Sequence, residues 1–212
     1  MNKYLRSTQT INCDDETIQE QAQILTRGEN SVVGKTVALF YFARDEIRYN
    51  PYASLYPMEA SSTLKRQYGF CIQKAALLVA LVRAVGIPAR LGFVNIRNHR
   101  LPDALIKMLG NNIIYFHGFA EFCINGKWLK ATPAFDLNMC QENGIIPVEF
   151  DGRNHGVFHS HDVEGNPHID YLDPMGSYDD VPMDEILEAA TRAWGVEYIE
   201  CWETGNWDYY SI

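Results

Sequence analysis

Position 71 is a cysteine set between "YGF" and the apolar run "IQKAALLVALVRAVGIPAR". The run predicts a helix from Ile72 to Val85, ended by Gly86 as a C-cap and by Pro88, which forbids continuation. Cys71 then falls at the first turn, where unpaired N–H groups and the helix dipole favour negative charge. A thiol there is expected to have a lowered pKa and to act as a nucleophile. Gly69 permits a close approach, and the backbone N–H groups around residue 71 could hold an oxyanion. The plainer alternative is that Cys71 is packing, as a buried free cysteine usually is.

A nucleophilic thiol needs a base, and His117 stands inside the strand-like run "IIYFHGFAEFCI". A rigid strand can aim an imidazole, and Gly118 leaves room beside it for another backbone or a substrate. The competing reading is a core histidine satisfied by backbone groups. Asn125-Gly126 predicts a type I′ turn joining that run to "KWLKAT". Direct pairing across the turn sets Ala134 level with His117 and brings Thr132 and Asp136 within reach. An Asp136–His117 hydrogen bond that orients the ring is thereby possible.

The elements that must carry these groups are mostly helices followed by strands. Helices are expected from Asp14–Glu16 to about Arg27 and over Val33–Arg48, with Ser61, Ser62 and Thr63 capping a short turn at 64–67. "RLGFVNI" reads as a strand, Leu101–Leu109 as a short helix stopped by Gly110, and Met183–Trp194 as a last helix. The chain after Pro133 reads as loose. Helices before antiparallel strands indicate an α+β fold. The whole chain, 1–212, reads as one domain with a core at about 33–136 and a C-terminal extension at 137–212.

With 212 residues, 47% of them hydrophobic, the chain can bury a core without disulfides or a cofactor. A net charge of −9 with no basic run argues against nucleic acid and anionic membranes as partners. No apolar stretch nears the ~20 residues that span a bilayer, and "MNKYLRSTQTINCDDE" lacks the apolar middle of a signal peptide. A cytoplasmic location is therefore expected, with the five scattered cysteines as free thiols.

The segments "YGFCIQKAALLVALVRAVGIPARLGFV" and "FHGFAEFCINGKWLKATPAFD" together resemble the transglutaminase-like superfamily over residues 60–136. The resemblance implies a papain-like α+β core, its central helix bearing the cysteine against an antiparallel sheet. It also implies a Cys-His-Asp arrangement, carrying the nucleophile to Cys71 and the base to His117. The family's aspartate lies four residues past the tryptophan and just before a proline. Here that position is Thr132, so Asp136 is the first choice for the third residue and Thr132 the reserve. The implied reaction is acyl transfer, most simply hydrolysis, on a peptide, isopeptide or small amide. Asn50, Tyr52 and Tyr68 are candidate oxyanion donors, and His159 and His161 candidate cleft residues. Two other readings stand beside this one. One is a binding module of the same fold that has lost catalysis. The other is a metal site in "HGVFHSHDVEGNPH", built from His155, His159, His161 and His168 with Asp162, Asp173 or Cys140.

Overall fold

The computed structural model describes residues 1–210. Its centre is α4 (Cys71–Ala84), in which every residue from Cys71 to Arg83 is buried. A helix apolar on nearly all sides must be enclosed, and α4 is. Its three buried polar side chains are each satisfied. Gln73 accepts from the Phe70 N–H (3.3 Å) and donates to Ser54 O (2.9 Å). Lys74 Nζ donates to Arg44 O (2.9 Å), and Arg83 Nε donates to Ala89 O (2.9 Å). Each bond ties α4 to a different neighbour, so the polar groups fix its position while the apolar ones fill space.

Around α4 stand α1 (Glu16–Leu25), α2 (Val32–Asp45) and α3 (Ala60–Arg66). Asp15 caps α1 and Ser31 caps α2. Ser61 and Thr63 lie inside α3, whose N-cap is Glu59, so they are helix residues and not the expected caps. Arg48 also departs from expectation. It leaves α2 to form β1 (Arg48–Tyr49), which pairs in parallel with β2 (Tyr68–Gly69), directly before Cys71.

On the other side of α4 lies a four-stranded antiparallel sheet in the order β5-β4-β3-β6. It is built from β3 (Ala89–Asn98), β4 (Ile113–Ile124), β5 (Lys127–Ala131) and β6 (Ile169–Tyr178). The expected hairpin joins β4 to β5. Asn125 and Gly126 both take positive φ (50° and 79°), and Ala120 faces Ala131. The stretch after Pro133 is less loose than expected, holding α6 (Leu137–Glu142), β6 and, after α7 (Met183–Trp194), α8 (Val196–Thr204). Residues 137–210 thus complete both the sheet and the aromatic packing above it. The short α5 (Asp103–Leu109) ends at Gly110, as its sequence indicates. No helix is long and apolar enough to cross a membrane among the described residues.

The tightest meeting of helix and sheet is at Gly118 of β4. A Cβ there would stand 3.1 Å from Ile72 Cα and 3.2 Å from the Ile72 side chain. The missing side chain lets β4 lie against the first turn of α4, so the glycine is a packing requirement. Gly118→Val should therefore lose about 1–3 kcal/mol of stability in urea denaturation. An unchanged midpoint would mean that this contact is slack.

Candidate functional site

Cys71 opens α4, and the backbone N–H groups of Gly118, Ile72 and Cys71 itself lie near enough to its sulfur to favour the thiolate. Gly118 is the residue next to His117. The β4 backbone beside the histidine therefore lies close to the thiol, whereas the His117 ring is not among the side chains that line the Cys71 cavity and has no hydrogen bond to the sulfur. Cys71 retains 8% exposure and His117 3%.

His117 stands at an irregularity in the sheet. Val94 faces His117 and Ile96 faces Ile114, so β4 spends one residue more than β3 over the same span. Phe116 absorbs the excess at φ 53°, and its N–H is held by Asn95 Oδ1 (3.1 Å). A bulge of this kind turns the neighbouring side chains from their regular directions. The His117 ring lies against Phe158 (centroids 5.1 Å), and Phe158 lies against Phe135 (4.6 Å) and His168 (5.9 Å). His117 Nε2 is buried with no hydrogen-bond partner.

Burial governs the charge state of both groups. Loss of solvent pushes the Cys71 thiol up to about 11, against the lowering that the backbone N–H groups exert. The same cause brings His117 down to about 3. The sequence leads one to expect a thiolate favoured by the helix terminus. In this closed arrangement desolvation outweighs the terminus, and the thiol and imidazole are both neutral at pH 7.

The third-residue candidates are occupied elsewhere. Asp136 Oδ2 accepts the Tyr49 N–H (2.8 Å) and Oδ1 the Met139 N–H (2.9 Å). It is the N-cap of α6 and the tie between that helix and β1, with no hydrogen bond to His117. Its position just before a helix is what draws it away, since a cap carboxylate satisfies orphan donors there. The Thr132 hydroxyl meets the Tyr171 hydroxyl, which also accepts the Phe158 N–H (2.9 Å). The slot next to Nε2 is thus filled by neither residue.

The expected oxyanion donors also fall outside the thiol's surroundings. Asn50 and Tyr68 line a polar cleft with Arg48, Tyr49 and Asp136, and Asn50 Oδ1 closes a turn onto the Tyr52 N–H (2.9 Å). Tyr52 packs against Trp207 (6.1 Å) and accepts its indole N–H (2.8 Å) on the backbone. His159 and His161 are exposed, and the 155–168 segment instead sends Phe158 and His168 inward. Among the described residues no three His, Cys, Asp or Glu side chains converge as metal ligands.

The residues that do surround Cys71 are mostly ones that the sequence did not assign. Tyr49, Phe70, Leu105, Phe116, Tyr198 and Trp202 line a cavity of about 60 Å³ at the thiol. Burial raises the Tyr49 and Tyr198 hydroxyls well above their usual range, and the nearby Cys71 adds to both shifts. The signal available for Tyr198 and Trp202 was the aromatic run at the C-terminus, which reads equally well as core.

A sequence profile described as the transglutaminase-like superfamily matches residues 19–133, more than half of the chain. The chain belongs to the transglutaminase-like superfamily. No curated protein matches its sequence. Among solved structures, a proposed cysteine protease from Cytophaga hutchinsonii superimposes with a TM-score of 0.54 at 18% identity, covering 84% of this chain and 46% of that one. The periplasmic domain of TgpA from Pseudomonas aeruginosa gives 0.44 at 20% identity, covering 61% and 45%. The chain thus spans less than half the length of either neighbour. At these identities the likeness to the first extends to the fold alone. The superfamily's α+β architecture is what the sequence indicates, and the two segments that carry the resemblance hold Cys71 and His117.

A buried neutral histidine couples stability to pH. The folded state holds His117 at about 3, whereas the unfolded chain titrates near the ordinary 6.5. Between these values the unfolded state binds the extra proton, so stability falls as pH drops from about 6.5 towards 3. The loss from this residue is about 1.4 kcal/mol per pH unit well inside that window. His117→Gln should flatten the dependence by that slope in denaturation series between pH 6 and 4.5. Parallel curves for variant and wild type would contradict the burial.

Proposed function

We propose that the protein is a thiol-dependent acyl-transfer enzyme acting on an amide, with water as the usual acceptor. Cys71 is the nucleophile and His117 the base. The observation that carries this reading is the close packing of Gly118 on Ile72, where a Cβ would stand 3.1 Å from the Ile72 Cα, so that the residue next to His117 lies against the residue next to Cys71. Superfamily membership supports the same roles for the same two positions.

Both groups are neutral at rest, so proton transfer accompanies attack and is not completed beforehand. As the sulfur closes on the carbonyl carbon, the imidazole takes the thiol proton. The backbone N–H groups of the first turn of α4 stabilise the oxyanion. The imidazolium then protonates the leaving amine, and water hydrolyses the thioester. His117 works here without a carboxylate on Nε2, which makes the pair a dyad. Neither Asp136 nor Thr132 orients it.

A second reading has specific support. A family aspartate replaced by Thr132, together with a thiol raised by burial, also suits a binding module that has lost catalysis. Single-turnover acylation by 4-nitrophenyl acetate separates the two. The enzyme reading expects a nitrophenol burst with the acetyl group mapped to Cys71. Cys71→Ala should abolish the burst, and His117→Ala should slow it by roughly 10²–10⁴-fold. A burst indifferent to His117 would favour the binding module.

A further inference from the structure

The thiol cavity draws its outer wall from a part of the chain that the family match does not reach. Trp194, Tyr198 and Trp202 come from α7 and α8, beyond residue 133. They form a continuous aromatic stack, Trp194 on Tyr198 (4.8 Å) and Tyr198 on Trp202 (5.8 Å), and Trp202 meets Phe70 beside Cys71 (5.3 Å). Leu101, Leu105 and Leu109 close the cavity from α5 and the loop before it. Apart from the thiol and the tyrosine hydroxyls, no lining side chain is ionisable. A charged group entering here would lose its hydration with no partner to replace it.

Two details narrow the occupant. The cavity measures about 60 Å³, and each water-sized atom needs roughly 10–15 Å³ of such space, so it holds about four to six non-hydrogen atoms. That suits a valyl or leucyl side chain and is too small for a ring. The second detail is Trp194 Nε1, which is buried and has no hydrogen-bond partner in the free protein. A buried donor left unmet is a standing cost that an incoming acceptor relieves.

Resting on the acyl-transfer reading, we propose that this cavity is a specificity pocket for a small aliphatic side chain on the acyl donor, with Trp194 Nε1–H donating to a backbone carbonyl oxygen of the same substrate. The enzyme then cleaves or transfers at apolar aliphatic residues, and the C-terminal helices set that choice.

The test uses the full chain and blocked dipeptidyl acyloxymethyl ketones that differ only at the residue next to the ketone: Val, Leu, Phe, Glu or Lys. Each thiol adduct forms by displacement of the carboxylate leaving group, so no further reactant is needed. Labelling rates are read by intact mass, and the site by peptide mapping. The Leu and Val probes should label Cys71 about 100-fold faster than the Glu and Lys probes, and about 10-fold faster than Phe. Leu105→Ala should enlarge the pocket and raise the Phe rate relative to Leu. Trp194→Phe keeps a ring but removes the donor, and should slow the Leu probe about 10-fold. Equal rates across the set, or a preference for Glu, Lys or Phe, would overturn the pocket while leaving Cys71 reactive. Failure of every probe, with iodoacetamide also unable to distinguish wild type from His117→Ala, would remove the acyl-transfer reading and the pocket with it.

Discussion

The structure depends on the passage of one strand across the mouth of one helix. At Gly118 the β4 backbone comes so close to Ile72 that a Cβ would sit 3.1 Å from its Cα, and its N–H is near enough to the Cys71 sulfur to favour the thiolate. Much else serves that contact. Gln73, Lys74 and Arg83 fix α4 from three directions. The Phe116 bulge sets the strand just before His117, and the parallel β1–β2 pair fixes the chain entering Cys71. A helix terminus alone would make Cys71 only permissive for reactivity. The strand against it sets the backbone next to His117 beside the same helix turn.

The same closeness has an electrostatic consequence. Packing helix, strand and aromatic wall together removes water from both titratable groups, and desolvation drives each towards its neutral form. The resting site is therefore quiet, its thiol held near 11 and its imidazole near 3. Lys74, one turn below Cys71 and fully buried, follows the same rule and falls to about 7. Its neighbours Asp136 and Asp45 only partly offset the cost of burial.

The parts of the fold legible in the sequence were those with a strong local signal. The run 72–85, apolar on nearly all sides, indicated an enclosed helix, and Asn125-Gly126 admitted few turns other than the one found. Gly118 leaves room for another backbone or a substrate, and what lies there is the backbone of Ile72. What stayed hidden was set by distant contacts. β6 contains Asp173, Pro174 and Gly176, which resemble a loop locally, and it is a strand because it pairs along the exposed edge of β3. Asp136 lay at a suitable register for the histidine, but it also preceded a helix, and the cap claimed it. Tyr49 lies at the thiol cavity while Asn50 and Tyr52 turn elsewhere, a one-residue distinction that only the β1–β2 pairing decides. The expected lowering of the thiol failed for a related reason, since the sequence shows a helix start but not how deeply the helix is buried.

The most direct measurement of the central claim is the distance from Cys71 Sγ to the nearest His117 ring nitrogen in an experimental structure carrying a ketone adduct on Cys71. If the strand delivers the imidazole to the thiol, that distance is about 3–4 Å, within reach of direct proton transfer. A ring turned to the far side of the sheet, separated from the sulfur by Phe158 or by the β4 backbone, would contradict the account.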